Sequence, residues 1–287
     1  MFETLVATAL PIALILIMTG VGMGLQPADF SRVARQPKAF FLGAICQMVL
    51  LPLIAIGIIA ITGLTGPVAI GLFILALCPG GATSNLYTLL ARGDVGLSVS
   101  LTAVIGFITP FTIPVLGAWA LQHYGEAGQT FELPLAKTWT TLIVVTVIPV
   151  ITGMIIRRFA AGFAEKAEPW VSRFSMLVLA LVIVSIAVNL GERLIDFALV
   201  SGPAALMLNL ITMGLGYVAG NALLHHEDQA RTISLEVGLQ NGTLALMIIM
   251  SILQSPEMAV APSIYSLLMF ITATLFTVWV RKRPLSA

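Results

Sequence analysis

Nine apolar segments, each long enough to cross a lipid bilayer as a helix, run through this chain of 287 residues. A hydrocarbon core of about 30 Å takes about 20 helical residues. The segments cover approximately residues 3–25, 39–62, 67–92, 95–122, 134–157, 170–190, 197–224, 229–253 and 259–281. Hydrophobic residues make up 59% of the chain and charged residues 9%, whereas soluble domains carry about 25% charged residues. The pattern predicts an all-α integral membrane protein of about nine transmembrane helices, surrounded by lipid.

Charge and cysteine content exclude several other classes. The net charge is +1, and no basic cluster is dense enough to indicate nucleic acid as a partner. Cys46 and Cys78 fall inside apolar segments without a second Cys or a His at metal-ligand spacing, so we interpret them as packing residues. No Lys or Arg precedes Arg32, so the first segment is predicted to be a membrane helix rather than a signal peptide.

The distribution of basic residues predicts the orientation of the helices. If nine helices start outside, twelve of the 14 basic residues fall on the cytoplasmic side, all except Lys137 and Arg193. Cytoplasmic loops of membrane proteins are enriched in Lys and Arg. We therefore expect a multi-pass protein of the cell (inner) membrane with its N-terminus outside and its C-terminus in the cytoplasm.

Two segments are interrupted by glycines and amides near their middle, at residues 78–85 (CPGGATSN) and 236–242 (EVGLQNG). They are the third and the eighth segments, so they cross the membrane in opposite directions. The pattern predicts one transporter domain, residues 1–287, built as an inverted repeat with two broken, crossing helices. Such breaks are the best sequence indication of a secondary transporter's binding site. Its parts would be repeat one (1–122), an unpaired helix (134–157) and repeat two (169–281).

The first break is expected to create a site for an anion. Pro79 lacks a backbone donor, and the glycines after it weaken the helix, which we expect to restart with Thr83 or Ser84 as its N-cap. The N-terminus of a helix carries about half a positive charge and attracts anions. In the second break, the first half should end near Glu236 and expose free carbonyls of Val237 and Leu239. The second half should restart after Asn241-Gly242.

Glu236 lies about eight residues into its segment, or roughly 12 Å along a helix that rises 1.5 Å per residue, which is close to mid-membrane. A carboxylate at that depth usually faces a cavity and marks a functional path. Gln47 lies at a similar depth, and Ser98 and Thr102 share one helix face. These oxygen ligands indicate an alkali cation rather than a transition metal. The alternative is a structural carboxylate bonded to Ser or Thr of a neighbouring helix.

Three stretches resemble the bile acid:sodium symporter family: CPGGATSN (78–85), LLARGDVGLSVSLT (89–102) and LEVGLQNG (235–242). The resemblance covers nearly the whole chain and implies two sodium ions that share Glu236. One ion would be held by Ser84, Asn85, Ser98, Thr102 and Glu236. The other would be held by Gln47, Glu236, the carbonyls of Val237 and Leu239, and Gln240. The substrate is expected beside the restarted helix ends, at Ala82, Thr83, Asn241 and Gly242.

The resemblance also implies two groups of helices. A core domain would contain residues 39–122 and 197–281, and a panel domain would contain helices 3–25, 134–157 and 170–190. The chain departs from the typical bacterial pattern by lacking the first of ten helices. Its last segment (264–275) also carries no Asn or His where some relatives have one near the substrate.

The function expected from these residues is sodium-coupled symport of an organic anion by alternating access, with Na⁺ as the coupling ion. The anion would be bile acid-like or a carboxylate such as pantoate. The alternative is a proton-driven efflux carrier of the related arsenite or auxin type, with Glu236 as the proton carrier. A further alternative is a receptor that binds the anion but does not transport it. No His–carboxylate or nucleophile–base pair lies at the expected depth, so an enzyme is not predicted.

Overall fold

The computed structural model describes residues 10–125 and 134–283, and most of these residues are helical. Within these ranges no strand is assigned, and an isolated antiparallel bridge pairs Gly80 with Gln240. The helices are α1 (Leu10–Gly24), α2 (Pro27–Arg35), α3 (Pro37–Thr62), α4 (Gly66–Leu77), α5 (Ala82–Leu90), α6 (Val95–Tyr124), α7 (Leu135–Phe159), α8 (Ala161–Leu190), α9 (Arg193–Leu224), α10 (Glu227–Gly238), α11 (Gly242–Leu253) and α12 (Val260–Val280).

Six helices in the described part of the chain are long and apolar enough to cross a membrane singly: α3, α6, α7, α8, α9 and α12. The pair α1 and α2, bent by 69°, makes a seventh candidate if it forms one span. Large apolar side chains stay exposed on the outer helices, such as Ile61 at 81% and Val188 at 78%. Extended apolar surface of this kind suits lipid rather than water. The predicted class of all-α integral membrane protein is confirmed, and residues 3–9 of the first predicted segment lie outside the described ranges.

Two polar stretches that lie between the predicted apolar segments are helical. Residues 27–35 form α2, whose first turn contains Asp29, and the Asp29 carboxylate accepts a hydrogen bond from Gln26 N (2.7 Å). Residues 161–169 form the start of α8, which continues through Pro169. Alanine, glutamate and lysine favour helix there, and this propensity outweighs the polarity of the stretch.

Three membrane-type helices contain a π-helical turn: Cys46–Leu50 in α3, Ile143–Val147 in α7 and Ile248–Leu253 in α11. In the first turn, Leu51 N donates to Cys46 O, five residues back. The next N–H in that register would belong to residue 52, which is proline and has none. Such π turns occur frequently at functional sites. This turn sets the direction of the Gln47 side chain.

The helices α1 and α10 have different main neighbours. The helix α1 packs mainly on α7 and α8, whereas α10 packs on α9, α5 and α6. The broken-helix segments α4, α10 and α11 lie deepest, since nearly all of their residues are buried. The buried interior therefore surrounds the two interruptions.

A buried polar network ties the start of α10 to the turn after α5. Arg231 is 0% exposed, and its Nε donates to Glu227 Oε1 at 3.1 Å. Its other nitrogens donate to the carbonyls of Ala91 (2.9 Å) and Arg283 (3.1 Å), while Tyr217 Oη donates to Glu227 (2.8 Å). Because each charge has partners, the network can hold α10 in place without leaving an isolated buried charge.

Candidate functional site

The two interruptions lie against each other, as the sequence predicted. Between α4 and α5, and between α10 and α11, the chain leaves the helical conformation for three or four residues. Gly81 N donates to Leu239 O (2.8 Å), and Asn241 N donates to Pro79 O (2.9 Å). These bonds satisfy backbone groups that the broken helices release. The breaks thus form one joined structure, to which four half-helices converge.

Close packing explains why glycine occupies the first break. A Cβ atom on Gly80 would lie 2.4 Å from Glu236 Oε1, well inside van der Waals contact. The glycine therefore leaves the space that the carboxylate uses. This is a direct link between the two breaks, which are far apart in the sequence.

The carboxylate of Glu236 is the centre of the site. It is 1% exposed, and its Oε2 accepts hydrogen bonds from Ser84 Oγ and Ser98 Oγ, each at 2.8 Å. Thr102 Oγ1 donates to Oε1. Four of the residues predicted for the first sodium ion therefore meet, although they come from three different helices, α5, α6 and α10.

The Glu236 carboxylate has no opposite charge bonded to it in the described part of the chain. The three donors are neutral hydroxyls, and no Lys or Arg in the described part of the chain forms a salt bridge with it. An ionised carboxylate buried without a compensating charge costs several kcal/mol. A bound cation would remove that cost, whereas a purely structural role would leave it in place.

Asn85 follows Ser84 on the first turn of α5. Its Oδ1 is buried and has no hydrogen-bond partner among the described residues. Buried side-chain oxygens are normally satisfied, so an unpartnered one requires an explanation. Asn85 was predicted as a ligand of the first sodium ion, and a hard oxygen of this kind suits a small cation such as Na⁺.

A second polar cluster adjoins the first on the side of α3. Gln47 Nε2 donates to Cys78 O (2.9 Å) and to Gln240 Oε1 (2.8 Å). Gln240 Nε2 in turn donates to Val237 O (2.6 Å). The two glutamines are nearly inaccessible, at 2% and 1% exposure. The structure therefore brings together three of the groups predicted for the second sodium ion, the side chains of Gln47 and Gln240 and the carbonyl of Val237.

Two details of the predicted breaks are wrong. The carbonyls of Val237 and Leu239 are not free, because Gln240 Nε2 and Gly81 N donate to them. A carbonyl oxygen has a second lone pair, so both can still coordinate an ion. The helix α5 starts at Ala82 with Gly81 as its N-cap and no side-chain cap. Ser84 Oγ instead lies 2.8 Å from Gly81 O and takes part in the carboxylate cluster.

The residues predicted for the substrate line two small cavities at the breaks. Ala82 and Asn241 line both cavities, and Thr83 and Gly242 line the second. Each cavity has about 30 Å³ open to the centres of water molecules, enough for two or three waters at roughly 10–15 Å³ each. Asn241 also caps α11, since its Oδ1 accepts from Leu244 N (3.0 Å). These cavities fit an ionic head group rather than a whole organic anion.

A larger cavity of about 780 Å³ opens between α2, α6, α7 and α8. It shares the lining residues Leu25 and Phe107 with one of the small cavities, so the two cavities are neighbours. Its wall contains Arg157, Arg158 and Glu165, and Arg157 forms a salt bridge with Glu165 (3.2 Å). Its size lies within the usual range of about 300–1,000 Å³ for ligand pockets.

Two side chains at the second break were missed by the sequence analysis. Asn209 Nδ2 and Tyr265 Oη both donate to Gly238 O, at 2.9 and 3.1 Å. Both residues are 0% exposed. An Asn in the middle of an apolar segment was the available signal, while nothing near Tyr265 in the sequence points to Gly238.

Comparison with known proteins gives the family of this chain. The model described as Sodium Bile acid symporter family matches residues 11–197. An uncharacterized sodium-dependent transporter of Bacillus subtilis, YocS, is 26% identical over 278 residues, covering 96% of this chain and 80% of that protein. The ileal sodium/bile acid cotransporter of Oryctolagus cuniculus is 28% identical over 282 residues, covering 96% and 79%. A probable chloroplastic sodium/metabolite cotransporter of rice, BASS2, is 28% identical over 276 residues, and 63% of its length is covered.

The fold and the site define a multi-pass helical membrane protein in which two interrupted helices meet around a buried carboxylate. The chain belongs to the sodium bile acid symporter family. Membership places it among membrane transport proteins rather than enzymes.

Proposed function

We propose that this protein is a sodium-coupled symporter of an organic anion that works by alternating access. The observation that carries the proposal is the buried Glu236 carboxylate, which is surrounded by neutral oxygen donors and has no salt bridge in the described part of the chain. Membership of the family and the sodium dependence in the names of the relatives support it.

The proposed architecture has nine membrane spans. The broken pairs α4–α5 and α10–α11 would each cross the membrane once, in addition to the six single spans and the bent pair. Repeat one (1–122) and repeat two (169–281) would be inverted copies, with helix 134–157 unpaired. The packing of α1 on α7 and α8, and of α10 on α9, α5 and α6, supports a panel of α1, α7 and α8 that is distinct from a core of residues 39–122 and 197–281.

A matching pair of hydrogen bonds supports the repeat. Gln47 on α3 donates to the carbonyl of Cys78, two residues before Gly80. Asn209 on α9 donates to the carbonyl of Gly238, two residues before Gln240, the partner of Gly80 in the bridge. In each half, a side-chain amide on the helix that precedes the broken helix donates to the carbonyl at the equivalent position of the break.

Two sodium ions are proposed, one in each polar cluster. Two Na⁺ and one carboxylate leave a net charge of +1, which a bound monoanion neutralises inside a poorly polar cavity. The anionic group would sit at the N-termini of α5 and α11, where helix dipoles favour negative charge. This arrangement couples the binding of the anion to that of the ions.

The body of the substrate would occupy the cavity of about 780 Å³, because the cavities at the breaks hold only an ionic head group. A bile acid or a carboxylate such as pantoate is the proposed kind of substrate. The proposed orientation in the cell membrane, N-terminus outside and C-terminus inside, places this cavity towards the cytoplasm, since Arg157 and Arg158 lie in its wall.

The test combines stabilisation with transport. The purified protein is melted in Na⁺ or K⁺, with or without a bile acid or pantoate, and a ligand of the folded state raises stability by about RT ln(1 + [L]/Kd). We expect Na⁺ to stabilise the protein, and an anion to add stability only when Na⁺ is present. In proteoliposomes, a Na⁺ gradient should then drive uptake of the stabilising anion. Uptake driven by a pH gradient and indifferent to Na⁺ would favour the proton-driven carrier instead.

A further inference from the structure

The carbonyl of Gly238 ends the first half of the second broken helix. In a continuous helix it would accept a hydrogen bond from the N–H of residue 242. Gly242 N instead donates to Gln240 O (2.9 Å), because α11 starts in a new direction. The Gly238 carbonyl is therefore released from the helix, and a buried carbonyl without a donor costs about 1–3 kcal/mol.

Two buried side chains from different helices satisfy this one carbonyl. Asn209 on α9 donates at 2.9 Å, and Tyr265 on α12 donates at 3.1 Å. Packing also restricts the position of Gly238, since a Cβ atom on this residue would lie 2.2 Å from Cγ of Met213 on α9. One helix turn earlier, Ser234 Oγ donates to Met213 O (2.8 Å). The end of α10 is thus held from two sides.

The groups on either side of Gly238 are those proposed to bind the second sodium ion. Val237 O precedes it, and Leu239 O and the Gln240 side chain follow it. Rotation of the planar peptide unit between Gly238 and Leu239 would change the backbone dihedrals at both residues, so the adjacent units that carry Val237 O and Leu239 O would have to reorient to compensate. An ion site requires its oxygens within a few tenths of an ångström of their ideal distances.

We propose that Asn209 and Tyr265 are positioning residues for the second sodium ion, because they hold the Gly238 carbonyl and thereby fix the oxygens beside it. The inference depends on the proposed sodium-coupled function. Asn209 in repeat two and Gln47 in repeat one each donate to a carbonyl two residues before the bridge between Gly80 and Gln240. The residue across the bridge that Asn209 could contact is Gly80, which has no side chain. Asn209 therefore supports the site from outside, whereas Gln47 also contacts Gln240.

The helix α12 connects this support to the substrate side. Ser266 follows Tyr265, and its Oγ packs against Gly242 at the start of α11. Met269 and Phe270, one turn further along, line one of the cavities at the breaks. A single helix thus touches both the end of α10 and the proposed place of the anionic group.

The experiment compares Tyr265→Phe, Asn209→Leu and the double variant with the wild type. Each replacement keeps most of the volume and removes the donor. A hydrogen bond of this kind is worth a factor of about 2–10, so we expect each single variant to raise the half-saturating Na⁺ concentration by about 3–10-fold. The double variant should raise it more than either single variant. The substrate KM at saturating Na⁺ should change by less than about twofold.

Tyr87→Phe is the matched control. Its hydroxyl also bonds to α12, but at Thr274 Oγ1 (3.0 Å) and Phe270 O (3.3 Å) rather than at the Gly238 carbonyl. We expect its half-saturating Na⁺ concentration to equal that of the wild type. If Tyr265→Phe behaves like this control, or lowers only the melting temperature, the positioning role is wrong. If Asn209→Leu does not fold, Tyr265→Phe alone decides.

Glu236→Gln, measured in parallel, separates the two proposals. If Glu236→Gln loses its response to Na⁺ while Tyr265→Phe keeps the wild-type response, sodium coupling stands and only the positioning role fails. If Glu236→Gln itself keeps the wild-type response, the proposed function fails.

Discussion

The two breaks share a backbone arrangement but differ in chemistry. Gly80 in the first break pairs with Gln240 in the second, so the two positions correspond. Four residues earlier, the first break has Ala76 where the second has Glu236. The second break therefore carries the Glu236 carboxylate and the Gln240 amide. The first break carries the methyl group of Ala76 and the hydrogen of Gly80 at the corresponding positions.

This difference indicates a division of roles. The first break provides space, because the missing side chain at Gly80 leaves room for the Glu236 carboxylate. It also provides backbone, since Gly81 N donates to Leu239 O. The second break provides the Glu236 carboxylate and the Gln240 amide, while the first break adds the Ser84 hydroxyl. The two joined breaks thus enclose a polar cluster whose carboxylate comes from the second break, and each prediction below alters one side of that comparison.

Among changes outside the Glu236 side chain, filling the space in the first break should have the largest effect. In Gly80→Ala, the new Cβ would lie 2.4 Å from Glu236 Oε1, and the flexible end of that side chain must move. We expect Na⁺ affinity to fall by at least about tenfold, equivalent to about 1.4 kcal/mol, with little loss of stability in the absence of Na⁺. Calorimetric or thermal-shift titration with Na⁺ measures both quantities.

Gly57→Ala is the control for that substitution, because a Cβ at Gly57 has no heavy atom within 4 Å. Its Na⁺ affinity should match the wild type, and a gain in helix propensity of up to about 1 kcal/mol is expected. Equal Na⁺ affinities for Gly80→Ala and Gly57→Ala would contradict the role given to the first break.

Removing one hydroxyl from the carboxylate cluster should have a smaller effect. Ser98→Ala deletes a donor at 2.8 Å from Glu236 Oε2. Hydrogen bonds to charged groups are worth about 1.5–3 kcal/mol, but rearrangement of Ser84 and Thr102 offsets part of the loss, so Na⁺ affinity should fall by less than about tenfold. Ser100→Ala on the same helix is the control, since Ser100 Oγ bonds to the carbonyls of Gly96 and Asp29. A sodium response that falls equally in the two variants would argue against a specific site at Glu236.

Asn241→Ala should have the smallest effect on Na⁺ and a clear effect on the substrate. The Asn241 side chain caps α11 and lines both cavities at the breaks. Loss of the cap should cost about 1 kcal/mol of stability. The substrate KM should rise more than the half-saturating Na⁺ concentration, as measured by uptake over a matrix of both concentrations. The reverse order would place Asn241 with the ion ligands instead.

Local chemistry allowed the sequence to predict much of this fold. The breaks follow from Pro79 and the glycines after it, and from the amides at residues 240 and 241, and the structure interrupts the helices there. The helical class follows from the long apolar segments. Residues 27–35 and 161–169 lie between the predicted apolar segments and are nevertheless helical, because polarity alone does not exclude a helix.

The grouping of the site could not be predicted from spacing. Ser84, Ser98 and Thr102 lie 152, 138 and 134 residues from Glu236 in the sequence, and only the family resemblance placed them together beforehand. Tyr265 was missed because its role depends on a carbonyl that becomes available only when α10 ends. Contacts of this kind are properties of the packed structure.

Direct Na⁺ binding to wild type, Glu236→Gln and Glu192→Gln tests the central claim. The two variants remove the same charge, but Glu192 is exposed in the turn between α8 and α9. Removing one partner of a buried charge pair costs about 3–5 kcal/mol, so Na⁺ affinity of Glu236→Gln should fall by at least about a hundredfold. Glu192→Gln should bind Na⁺ like the wild type. In both of these proteins, K⁺ should not replace Na⁺. Wild-type Na⁺ binding by Glu236→Gln would contradict the account and place the ion site elsewhere.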